Sequence, residues 1–121
     1  MIKLVYCINR KPSVSPEEFH RYWLEDHGPK VKAMASAIGA VRYVQSHTIL
    51  PEVNAGFRQS RGLAAGYDGI TEVWFESEAS MTAAMSTPDG VAAAKLLLDD
   101  ESHFIDFATS SIFMTHEHAI F

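Results

Sequence analysis

One cysteine, Cys7, stands in the 121 residues, so no internal disulfide framework can brace the fold. Cys7 lies inside the first apolar run and reads as a small core residue. No apolar run approaches the ~20 residues that a membrane span needs. No long Lys/Arg cluster is present, and 10 basic against 15 acidic residues leave a net charge of −5, which argues against recognition of nucleic acid through its phosphates. There is no Gly-rich phosphate loop and no nucleophile elbow. The opening MIKLVYCINRKP is too short and too interrupted for a secretory signal, so a cytoplasmic setting is the expectation. No internal repeat or low-complexity tract marks a boundary, and one domain over residues 1–121 is expected. At 47% hydrophobic and 21% charged, the chain can build a core of its own.

What is present falls into alternating elements. Ile2–Ile8 is short and rich in β-branched and aromatic residues, and reads as a strand. Ser15, Pro16 and Glu18 supply an N-cap, a first helical residue and a capping box for a helix that runs at least to Asp26. A second strand is expected over about Val41–Ile49, and a long connection with three glycines over Pro51–Asp68. A third strand spans Ile70–Phe75. A short helix over Glu78–Met85 and a longer one from Pro88 to about Asp100 follow, then a last strand over Ser110–Thr115. The order is β-α-β-β-α-β: an α+β, ferredoxin-like arrangement with a four-stranded antiparallel sheet. Helices cover one face of such a sheet. The other face lacks a cover within the chain, and a second copy is the expected partner, making a homodimer through the sheet face.

The first helix carries the chemistry. Phe19, Tyr22, Trp23, His27, Val31, Met34 and Ile38 fall on one helical stripe, while Glu18, Arg21, Glu25 and Lys32 fall opposite. His27 therefore projects towards the sheet, one turn beyond Trp23. Pro29 has no N–H and crowds the carbonyl of Glu25, so the helix is expected to kink or restart beside His27. Two readings stay open from these residues. His27 is either a helix-end histidine bonded to a carbonyl, or a pocket residue whose near-neutral titration suits proton transfer.

The run Phe19-x-x-Tyr22-Trp23-x-x-x-His27-Gly28-Pro29 resembles the EthD family, named for a protein associated with ethyl tert-butyl ether degradation. Tyr67-Asp68-Gly69-Ile70-Thr71-Glu72-Val73-Trp74-Phe75 and the acidic Asp99-Asp100-Glu101 leading to Phe104 support the resemblance. It implies a dimeric α/β barrel of two ferredoxin-like subunits packed sheet to sheet. The wider superfamily includes polyketide cyclases, cofactor-free monooxygenases, muconolactone isomerases and haem-binding relatives, and some fungal EthD-like proteins look like dehydratases. The resemblance also implies that the motif histidine, here His27, lines the pocket.

The remaining candidates follow from strand alternation. Tyr43, Gln45 and His47 form a polar row that faces either the helices or a partner. Ile70, Glu72, Trp74 and Glu76 share one face of the third strand; Glu72 is either a partly buried carboxylate or an ordinary strand glutamate. Tyr6 can reach the same cavity, or it packs as ordinary core. His116 and His118 lie on one face, but nothing supplies a third ligand, so no metal is expected. The leading expectation is an enzyme without cofactor. It would bind a small apolar or aromatic molecule between sheet and helices. His27, Tyr22, Tyr43 and His47 would be catalytic, and Trp23, Tyr6, Glu72, Trp74 and Phe104 would contact substrate. Cyclisation, dehydration, isomerisation and cofactor-free oxidation all stay open. The alternative is a noncatalytic small-ligand carrier with His27 as an anchor. Haem binding rests on kinship alone.

Overall fold

A computed structural model describes residues 1–121. Strands β1 (Ile2–Ile8), β2 (Ala40–His47), β3 (Gly69–Phe75) and β4 (Ser111–Thr115) form one sheet in the order β2-β3-β1-β4, with every neighbouring pair antiparallel. Helices α1 (Pro16–Tyr22), α2 (Gly28–Ile38), α3 (Pro51–Arg61), α4 (Glu78–Met85) and α5 (Pro88–Glu101) complete the chain. This is the ferredoxin-like α+β fold, with helices on one face of the sheet. No helix is long and apolar enough to cross a membrane.

The strand registers sort the side chains. Leu4, Tyr6 and Ile8 of β1 pair with Val73, Thr71 and Gly69 of β3, and these in turn with Tyr43, Gln45 and His47 of β2, so all share the helix-facing side. Lys3, Val5 and Cys7 go to the other face with Ile70, Glu72, Trp74, Arg42 and Val44. A bulge between Ala40 and Arg42 pushes Val41 outward, where it is exposed. Two buried clusters lie under the helices. Ile8, Phe19, Trp23, Phe104 and Ile105 form one; Val31, Ile38, Ala93 and Leu97 form the other.

Two local expectations are corrected. Ser15 does cap α1, accepting from the Glu18 N–H at 3.2 Å. The reciprocal arm of the capping box is missing, because the Glu18 carboxylate takes the Arg21 guanidinium at 2.6 and 2.9 Å instead. The connection over 51–68 is not a plain loop either: it holds α3. Pro51 at its first turn, Arg58 and Arg61 in its last turn and Gly62 in the left-handed conformation after it are ordinary helix ends. Gly56 lies inside that helix, so it marks no turn.

The helix does not break at Pro29. Trp23–His27 form a π-helical turn that joins α1 to α2, with the Gly28 N–H bonded to the Trp23 carbonyl. The wider turn accommodates Pro29 as a first-turn residue of α2. The Gln45 amide adds a second bond to the Trp23 carbonyl, at 2.8 Å, pinning the turn to β2. Trp23 and His27 are both buried by it.

Candidate functional site

The π turn delivers His27 into the gap between the two buried clusters, where it is 5% exposed. Its Nδ1 lies 2.7 Å from Oδ2 of Asp100, on the penultimate residue of α5. Asp100 is itself buried. Burial alone would raise its carboxyl, but hydrogen bonds from Lys30, Tyr22 and His27 outweigh that and hold it at about 2. The Lys30 ammonium sits 2.7 Å from Oδ1, and the Tyr22 hydroxyl donates to the same oxygen. An ionised carboxylate only accepts, so the hydrogen bond fixes the proton of a neutral His27 ring on Nδ1. Burial then pulls the imidazole below its ordinary value, against the pull of Asp100.

The other ring nitrogen, Nε2, has no hydrogen-bond partner. No fully buried side-chain nitrogen or oxygen in the chain lacks one, so Nε2 keeps contact with open space. His27 lines a cavity of about 130 Å³ between the sheet and the helices. Trp23, Tyr6, Tyr43, Thr71 and Glu101 line it too, within a largely apolar wall. A wider depression of about 390 Å³ shares Tyr6, Leu97 and Glu101 with it and forms its mouth beside Phe107. A groove of about 470 Å³ runs along α2 and the β2 edge, but its only titratable lining groups are Lys32, Arg42 and Tyr43, and it holds no acid or histidine. The smaller cavity is the candidate site, because the titratable groups converge there.

The geometry divides the predicted residues. His27, Tyr43, Trp23 and Tyr6 line the one cavity. Tyr22 does not line it; its hydroxyl acts on Asp100. Phe104 is buried behind the histidine, its ring 5.1 Å from the imidazole and 5.2 Å from that of Tyr22. His47 faces the helices, yet lies on the far side of Trp23, stacked on the indole at 4.2 Å. Its ring nitrogens meet His20 at 2.7 Å and Gln45 at 2.8 Å. Burial and the neighbouring His20 push the His47 ring down.

Glu72 and Trp74 fall on the opposite face of the sheet, so they do not share the cavity of His27. Glu72 is paired with Lys3 at 2.6 Å. Trp74 is covered by the Arg42 guanidinium at 4.5 Å, and its indole N–H donates to Glu117 of the C-terminal segment. The alternation of β3 is as read; which face met the helices was not legible in it. His116 and His118 pack ring to ring at 5.1 Å, and no group of three potential ligands forms anywhere in the chain.

Three residues of the site escaped sequence reasoning. Asp100 and Glu101 entered it only as part of an acidic stretch, and Lys30 not at all. Glu101 ends α5 and lines both the cavity and its mouth. Burial pushes its carboxyl up to about 7, with Asp100 adding and the neighbouring Tyr6 hydroxyl opposing. The Tyr6 hydroxyl is pushed up by burial and by Glu101.

Comparison with known proteins places the chain in a family. A solved ethyl tert-butyl ether degradation (EthD) family protein from Bacillus halodurans superposes with a TM-score of 0.64 at 17% identity, covering 98% of this chain and 99% of that one. An EthD-like protein from Ralstonia eutropha gives 0.62 at 16% identity, covering 94% and 88%. A dimeric ferredoxin-like protein of unknown function from Bacteroides fragilis gives 0.59 at 11%, covering 96% and 95%. At these identities the likeness speaks for the fold. No curated protein matches the chain. The EthD domain model matches residues 11–108, which span the whole helix motif, α5 and Phe104; the chain therefore belongs to the EthD family.

Proposed function

We propose that the protein is a cofactor-free enzyme that binds a small, largely apolar or aromatic molecule in the cavity between sheet and helices, with His27 as its acid/base. The observation that carries this reading is the disposition of His27. One nitrogen is fixed by a buried, ionised Asp100, the other carries no hydrogen bond, and the residue lines a largely apolar cavity. A helix-end histidine bonded to a carbonyl would need neither the carboxylate nor the cavity. Tyr43 and Tyr6 offer hydroxyls to a bound molecule, Trp23 a flat wall, and Phe104 holds the imidazole from behind. Cyclisation, dehydration, isomerisation and cofactor-free oxidation all begin with a proton transfer that such an imidazole performs.

Two copies pair through the sheet face away from the helices in this reading. Ile70 and Phe113 are exposed there, 36% and 51%. The solved relatives from Bacteroides fragilis and Thermobifida fusca are described as dimeric.

The test is to identify whatever compound the freshly purified protein releases on denaturation, and to incubate it with wild type and with His27→Ala. Turnover that vanishes in a folded variant is the expected result; equal rates remove His27 from the chemistry. The second reading is a carrier, favoured by the mostly hydrophobic lining, 12 of 15 residues. A carrier returns its ligand unchanged in both proteins.

A further inference from the structure

We propose that Glu101 is a second catalytic residue of this site: it gives a proton to the oxygen of a neutral, carbonyl-bearing molecule while His27 takes a proton from the carbon beside that carbonyl. The proposal rests on the reading above and deepens it, by naming the partner of His27 and the substrate class.

Placement carries the argument. Asp100 and Glu101 are adjacent at the end of α5, yet their side chains part. Asp100 turns to His27, Tyr22 and Lys30. Glu101 turns into the cavity that His27 also lines, and reaches its mouth. Both His27 and Glu101 line its inner volume of about 130 Å³. The titratable groups around Glu101 are Tyr6 from β1, Tyr43 from β2, His27 from the π turn and Asp100 from its own helix. None is a cation when His27 is neutral. Lys30 is committed to Asp100 and half exposed outside the cavity. Glu101 therefore has a phenol for a neighbour and no counter-charge, and its proton is retained to about pH 7. Two neighbouring carboxyls whose surroundings push them in opposite directions separate into an ionised orienting group and a proton donor.

The same census sets the substrate class. No Lys or Arg lines the cavity or its mouth. A carboxylate or phosphate would enter an apolar space with no counter-charge, which costs far more than its contacts return. A neutral molecule enters freely. In the reaction the C–H bond breaks and its proton goes to Nε2 of His27. The bonding pair becomes the new C=C π bond. The carbonyl π pair moves to oxygen, which takes the Glu101 proton. A neutral enol, a carboxylate and an imidazolium result. Reversal at the same or another carbon restores both residues.

The test uses 2-tetralone, a neutral aromatic ketone, as the probe. Deuterium wash-in beside its carbonyl is followed in heavy water with full-length wild type, Glu101→Gln and His27→Ala. In parallel, carbon-13 NMR follows the Glu101 carboxyl of wild type. Wild type should exchange the probe above buffer, with a bell-shaped pH profile: the acid limb reports protonation of His27, the alkaline limb loss of the Glu101 proton. Glu101→Gln should slow exchange by about 10-fold or more and lose the alkaline limb, with the carboxyl of wild type titrating near 7. Wild-type rates with the alkaline limb intact in Glu101→Gln, or a carboxyl that titrates in the ordinary range, overturn the role of Glu101; a slow His27→Ala alongside leaves the histidine reading standing. No exchange by wild type, or undiminished exchange by His27→Ala, overturns both.

Discussion

Nδ1 of His27 and Oδ2 of Asp100 lie 2.7 Å apart, although 73 residues separate them in the chain. The π turn rotates the one inward and the last turn of α5 brings up the other. Removing the carboxylate tests what the pair does. Asp100→Asn places an amide opposite Nδ1, which favours the tautomer with its proton on Nε2. Turnover of the cognate compound should fall by on the order of 10³-fold. Asp100→Ala leaves His27, Tyr22 and Lys30 without their common acceptor, and should cost about 3 kcal/mol in a denaturant titration. Unchanged stability and rate in both variants would mean that the pair is incidental.

Glu101 makes stability depend on pH in a defined direction. Its folded value, about 7, is raised above the ordinary 4.5. Between those values the folded state holds the proton that the unfolded chain releases. The contribution is fully present below pH 4.5 and is lost as pH rises towards 7. Glu101→Gln keeps the neutral form throughout. Relative to wild type it should therefore gain stability across that window, by an amount approaching about 3 kcal/mol. Denaturant midpoints of the two proteins at several pH values measure the difference, and a constant difference refutes it.

Gly69 is the start of β3, and a Cβ there would overlap the six-membered ring of Trp23. Gly69→Ala must therefore displace the indole that walls the cavity and stacks on His47. Overpacking of this kind costs about 2 kcal/mol or more, a loss of roughly 8 °C in Tm for a domain of this size. A calorimetric scan that leaves Tm in place would show that Trp23 gives way freely.

The open sheet face predicts its own cover. Light scattering at micromolar concentration should give twice the chain mass, and Phe113→Asp, which puts a charge on that face, should shift it towards the monomer. A well-folded wild-type monomer at that concentration rules the homodimer out.

Much of this was legible in the sequence, because it depends on short-range pattern. The stripe from Phe19 to Ile38 placed Trp23 and His27 on the sheet side, and alternation grouped Tyr43 with Gln45 and His47. What escaped depends on how distant elements meet. Asp100 and Glu101 look alike as charges at a helix end. Their opposite roles arise only where α5 passes the π turn on one side and β1 on the other. Glu72 and Trp74 share a face as read, but a two-residue period cannot say which face the helices will cover. His47 has the expected orientation and still misses the cavity, because the Trp23 indole stands between. The helix α3 was hidden by Gly56 within it, by Gly62 just after it and by a surface that buries none of its residues.

The most direct test of the account is the protonation state of one ring. Nitrogen-15 NMR of His27 in the wild-type protein reads both ring nitrogens at neutral pH. His27 should carry its proton on Nδ1, leave Nε2 bare, and titrate below its ordinary value. A proton on Nε2, or an imidazolium that persists at neutral pH, would contradict the account.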